Sequence, residues 1–185
     1  MRKHRLIVAG LFAISACGTE SARPMPSART CAVEDSVPLS GNGFGALRVG
    51  ATVDEVRTAC AVVADTTLER GNEGLPERRI AVLVGSDTIE ATVVRDSIWR
   101  LELTTERIRT VDSLGVGTTA RVLRAKGAKL AVGDRGVFAL VPNHCGLSFQ
   151  LSGVDPASSE WSRIADSTSV GRLLVFGCEG EAASR

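Results

Sequence analysis

Four cysteines, at positions 31, 60, 145 and 178, follow an N-terminal segment with the pattern of an export signal, and that combination narrows the folds open to this chain. The segment starts with Arg2, Lys3, His4 and Arg5 and continues with an apolar run over residues 6–13. That run is far shorter than the roughly 20 residues a spanning helix needs. Its length and basic flank are those of a secretory signal over residues 1–16. An exported chain with an even cysteine count is expected to close disulfides. Four cysteines allow three pairings, and the pairing Cys31–Cys60 with Cys145–Cys178 is favoured because each closes a short loop within one half of the chain. Loops of that size stabilise by roughly 3–4 kcal/mol each in the chain-entropy model. Zinc is not expected: there is no Cys-x-x-Cys, and His144 is the sole histidine after the signal.

Small residues Ser15 and Ala16 lead into Cys17, and Ile14-Ser15-Ala16-Cys17 resembles the lipobox of bacterial lipoproteins. The resemblance implies that the Cys17 thiol accepts a diacylglyceryl group, that cleavage occurs just before it, and that the new amino terminus is acylated, commonly with palmitate. Acyl chains would anchor the protein by about 0.8 kcal/mol per buried CH₂. In Gram-negative relatives an Asp after the lipidated Cys favours retention in the inner membrane. Gly18 stands there, which favours the outer membrane facing the periplasm. Residues 17–40 are rich in Ser, Thr, Pro and Ala and predict a flexible tether.

The rest of the chain has the makings of a packed domain. Hydrophobic content of 44% against 23% charged residues excludes wholesale disorder. Net charge is +1, with three of the basic residues in the first five positions, so the body is near neutral and a nucleic-acid partner is not expected. The lack of Tyr and an aromatic content of 4% argue the same way, since base-stacking platforms need aromatic rings.

An internal similarity suggests how residues 41–180 are organised. Leu47-Arg48-Val49-Gly50-Ala51-Thr52 aligns without gaps to Leu114-Gly115-Val116-Gly117-Thr118-Thr119. Later, residues 98–103 resemble residues 170–175. Thr52 with Glu55 three positions on has the spacing of a capping box, and Val53, Val56 and Cys60 share one helical face. In the second half Thr118 or Thr119 would cap a helix with Val122 and Leu123 inward and Gly127 at its end. Strands are predicted over 80–84, 88–94 and 97–104, then over 136–141, 147–151 and 172–176. Alternation puts Ile89, Ala91 and Val93 on one face, and Trp99, Leu101 and Leu103 against Ile98, Arg100 and Glu102. The expected fold class is α+β, with two tandem units of a helix plus an antiparallel meander, about 44–106 and 111–178, and both helices on one sheet face.

The Leu47-x-Val-Gly50-x-Thr52 entry and its echo at 114–122 resemble the small bacterial lipoproteins of the SmpA/OmlA (BamE-like) group, and the tandem β-lactamase-inhibitor-protein fold. The resemblance spans roughly residues 44–178. The inhibitor family is rich in aromatic contacts, whereas this chain has Trp99 and Trp161 and no Tyr.

No catalytic constellation stands out. A Ser-His-Asp triad would need His144, and no Gly-x-Ser-x-Gly elbow occurs. A His144–Cys145 dyad fails because adjacent strand residues point to opposite faces. Asp54 and Glu55 suit a first helical turn. Gly41-Asn42-Gly43-Phe44-Gly45 lacks the Lys-Ser/Thr of a phosphate loop. Arg107 and Arg109, two apart, would share the solvated face of an extended segment. The expected function is therefore non-catalytic: a lipid-anchored envelope protein, without cofactor, that binds a protein partner. A periplasmic enzyme inhibitor is the first alternative and a hydrolase the more remote one.

Overall fold

The computed structural model describes residues 31, 38–69 and 75–178, with the side chain of Ser158 left aside. Cys17, the signal segment and most of the proposed tether lie outside these residues. A short hairpin, β1 (Gly43–Phe44) and β2 (Leu47–Arg48), leads into α1 (Val53–Ala59). Strands β3 (Ala61–Leu68), β4 (Glu77–Val84), β5 (Asp87–Val94) and β6 (Ser97–Leu103) follow. Then come α2 (Ala120–Ala125), β7 (Lys129–Gly133), β8 (Gly136–Leu140), β9 (Leu147–Leu151) and β10 (Val170–Val175).

The expected pair of helix-plus-meander units gives way to one sheet. Eight strands form a continuous antiparallel surface in the order β3-β4-β5-β6-β10-β9-β8-β7. The joint is β6 against β10, with Leu103 opposite Leu173 and Leu101 opposite Val175. The helices, of 7 and 6 residues, are too short to define units of their own. What sequence periodicity could not show is that the fourth strand of each run lies beside the other, so the backbone bonds of β6 and β10 satisfy each other and leave no edge between the halves.

The two matched segments still do the same local work. Gly50 and Gly117 take φ of +86° and +83°, a region open chiefly to glycine. The Gly50 N–H donates to Ile98 O and the Gly117 N–H to Val170 O, both at 2.8 Å. Each segment thus pins its helix entry to one of the two central strands. Thr52 caps α1 as spaced, its hydroxyl accepting from Glu55 N while Glu55 accepts from Thr52 N. Thr119 precedes α2 without a side-chain cap. There Ala120 and Leu123 are buried, whereas Val122 is exposed, because the helix turns its Ala120–Leu123 stripe to the sheet.

One face of the sheet carries the core. Ile80, Val82, Ile89, Ala91, Leu101, Leu103, Phe149 and Leu173 pack there with Val53, Val56, Leu114 and Leu123 of the covering segments. Burying each such side chain contributes roughly 1.5–3 kcal/mol. Leu39 belongs to this cluster, and its N–H donates to Arg109 O, so ordered packing begins within the stretch read as a tether. Strands β3 and β7 escaped the sequence reading. They are the two sheet edges, β3 is exposed along most of its length, and neither shows a clean period of two.

Candidate functional site: the open sheet face

The opposite face contributes nothing to the main core cluster. On it, cross-strand register lines up Arg79, Thr92 and Arg100 over β4, β5 and β6, with Ala81, Glu90 and Glu102 in the next row. Glu90 and Glu102 are directly opposed, an arrangement that is unfavourable alone. Arginines offset it. Arg79 Nη1 lies 3.4 Å from Glu90, and Arg172 Nη1 and Arg135 Nη1 lie 2.9 and 3.1 Å from Glu102. Arg79 Nε also donates to Glu77 Oε1 at 2.5 Å. The group therefore holds four guanidiniums (Arg79, Arg100, Arg135, Arg172) and three carboxylates (Glu77, Glu90, Glu102).

The Arg135–Glu102 contact ties the two halves of this face together. Arg135 sits in the β7–β8 turn and Glu102 on β6, with β10 and β9 between β6 and β8. A flat sheet would hold β6 and β8 about 14 Å apart. The two extended side chains and their 3.1 Å contact together cover that span, so the pair crosses both intervening strands.

Arg100 is the unusual member. It is 5% exposed. Its Nη2 donates to Thr92 Oγ1 at 3.1 Å and lies 3.7 Å from Glu77, while its Nε is buried without a hydrogen-bond partner. Burial holds its guanidinium below the usual arginine range, against the pull of Glu77. Its Cζ lies 5.3 Å from the Trp99 ring centroid and 6.0 Å from that of Phe176. The two rings meet edge to face at 5.8 Å. Trp99 is 48% exposed and Phe176 37%.

This placement corrects the expected alternation of β6. Register passes from Thr92–Arg100 to Val93–Ile98, a bulge that skips Trp99. Ile98 therefore joins Leu101 and Leu103 in the core, and Trp99 is turned out beside Arg100. No sequence period announces a bulge, which is why the exposed Trp99 and its cluster were missed.

The other singled-out residues are structural. The disulfides are Cys31–Cys60 and Cys145–Cys178, with Cα separations of 4.3 and 5.3 Å. Two closed disulfides are the mark of a chain that matures in an oxidising, extracytoplasmic setting. The Gly41–Gly45 run wraps the second bridge. A Cβ on Gly41 would lie 1.9 Å from Cys145 O and 2.5 Å from Cys178 Sγ. Asn42 Oδ1 accepts from Cys178 N, and Gly41 O from Gly177 N.

His144 Nε2 is 3.3 Å from the Asp112 carboxylate, which also accepts from Lys126 and Thr110. Lys126 foremost, then Thr110 and His144, hold Asp112 well below the usual carboxylate range. Arg107 and Arg109 do not form a shared cationic face. Arg107 reaches Ser86 and Asp87, while Arg109 bonds the carbonyls of Glu106, Ser113 and Val116 and closes their loop. Trp161 donates to Ala128 O beneath Arg124. Among the described residues no His/Cys/Asp/Glu group is arranged to hold a metal, and no helix is long and apolar enough to cross a membrane.

No family model matches the chain, and no curated protein does. Among solved structures it is similar to the uncharacterized protein yfeY from Escherichia coli, at 17% identity and a TM-score of 0.58, over 75% of this chain and 99% of that one. The likeness is one of fold.

Proposed function

We propose that this chain is a lipid-anchored protein of the cell envelope, attached through Cys17, that binds a partner protein on its open sheet face. The observation that carries the reading is the Trp99–Arg100–Phe176 cluster. Two large rings stand half exposed around a buried cation, beside a network in which arginines outnumber carboxylates. Exposed aromatics flanking arginine are the usual anchors of protein interfaces. The arginine excess favours a partner that presents an acidic segment with an apolar residue to meet the rings. The lipobox resemblance of residues 14–17 supports the anchor, and the disulfides support the compartment.

The test is photo-crosslinking in intact cells from a reactive group at position 99, with position 121 on α2 as reference. One dominant adduct from position 99, absent from 121 and displaced by a Glu-rich but not a Lys-rich peptide, is expected. Equal labelling from both positions, or indifference to the acidic peptide, contradicts the reading.

A second reading, an inhibitor of an extracytoplasmic enzyme, is favoured by the same exposed rings of Trp99 and Phe176. It predicts that the partner captured from position 99 is a hydrolase whose turnover the purified chain suppresses.

A further inference from the structure

A further feature lies at the β9–β10 end of the open face. A cleft of about 290 Å³ is lined by Arg135, Gly136, Gln150, Ser152, Gly171 and Arg172, with Leu151, Gly153 and Val154 completing the wall. Three details make it a built site rather than a surface dent.

Two guanidiniums from distant parts of the chain converge on it, and Glu102, which both contact, is 11% exposed and not part of the lining. Arg135 is further held through its backbone, whose carbonyl accepts from Gln150 Nε2. Register between β10 and β9 shifts at Gly171, between Val170 and Arg172, and the bulge aims Arg172 at the cleft. An ideal Cβ at Gly171 would lie 2.1 Å from Ser152 Oγ, so glycine at that position leaves room for the Ser152 hydroxyl where it stands in the wall.

We infer that this cleft binds the carboxylate of a small organic anion or of an acidic side chain. The charge balance selects the class. Arg135, Arg172 and Glu102 sum to +1, so a monoanion neutralises the site, whereas a phosphate dianion leaves excess negative charge next to the shielded Glu102. Guanidinium forks match a planar carboxylate, and the Ser152 hydroxyl supplies a further donor at the rim. The volume, at the low end for ligand pockets, suits a carboxylate of a few carbon atoms. Arg135 and Arg172 also belong to the charged network of the open face, but the titration below reads the cleft directly, whether or not a partner protein binds there.

The experiment uses the full chain in detergent, labelled with ¹⁵N and titrated with butyrate or with inorganic phosphate at matched ionic strength. Saturable amide shifts at Gly136, Gly153 and Gly171 with butyrate are expected, with phosphate weaker by about tenfold or more. Arg172→Gln should abolish saturation. Arg172→Lys, which keeps the charge and the Glu102 pair but loses the fork, should weaken butyrate by about tenfold while leaving the remaining spectrum in place. Shifts that follow ionic strength without saturating, or that persist in both variants, overturn the site. Phosphate binding as tightly as butyrate overturns the monocarboxylate assignment.

Discussion

Arg100 lies 5.3 Å from the ring centroid of Trp99, on the sheet face away from the core, with its Nε buried and unbonded. A buried guanidinium with one unsatisfied donor costs stability unless something else offsets it. Here Glu77, Thr92 and the two rings do so in part. Such an arrangement shapes a surface more than it strengthens a fold.

Arg100→Met should therefore be nearly neutral, within about 1 kcal/mol, because an apolar chain of similar volume removes the orphan donor. Glu77→Ala should cost about 3 kcal/mol, since it leaves Arg79 and Arg100 without their shared carboxylate in a mostly buried setting. Urea unfolding of the two variants checks the contrast, and equal losses would contradict it.

Trp99→Ala should lower the unfolding midpoint by only a few degrees, because half the ring is already in water. With the reactive group moved to position 176, the same change should abolish the competition expected from the acidic peptide. A large loss of stability with unaltered labelling would reverse the roles assigned here.

Gly41→Ala should destabilise by more than about 3 kcal/mol or prevent closure of Cys145–Cys178, because its Cβ has no room beside Cys145 O and Cys178 Sγ. Gly45→Ala, at φ +52° with open space around it, should cost only about 1 kcal/mol. Thiol counting and denaturant unfolding separate the two effects.

Acid should weaken the fold through Asp112. Its carboxyl is held below the ordinary range by Lys126, Thr110 and His144. A folded-state pKa below the unfolded one gives stability that is complete above about pH 4 and drains as pH falls toward the folded-state value. Asp65, depressed by Arg78, contributes in the same direction. Asp112→Asn should make the acid limb of a stability–pH curve shallower without changing its sign, read by thermal unfolding between about pH 2 and pH 7. An unchanged limb would remove Asp112 from the account.

Much of the local structure was legible in the sequence. The Thr52–Glu55 cap, the inward face of Ile89, Ala91 and Val93, and the glycine-led entries at Gly50 and Gly117 follow from spacing and residue type, and of the three cysteine pairings the sequence leaves open the structure has the favoured one with two short loops. Assembly of the sheet did not. Pairing of β6 with β10 is a long-range choice with no local signature, and the edge strands β3 and β7 bury too little to show a period. The candidate site was hidden for a related reason. Its members come from four strands, a turn and the residue just after β10, and they meet only through the β6–β10 pairing, two bulges and a turn residue that reaches across β9 and β10.

The proposed export and lipid attachment would decide which partners the open face can meet, and one measurement tests both. The intact mass of the membrane-extracted protein should equal that of residues 17–185 plus acyl chains, and should rise by about 4 Da on reduction as two disulfides open. A full-length, unacylated mass that does not change on reduction would contradict the account.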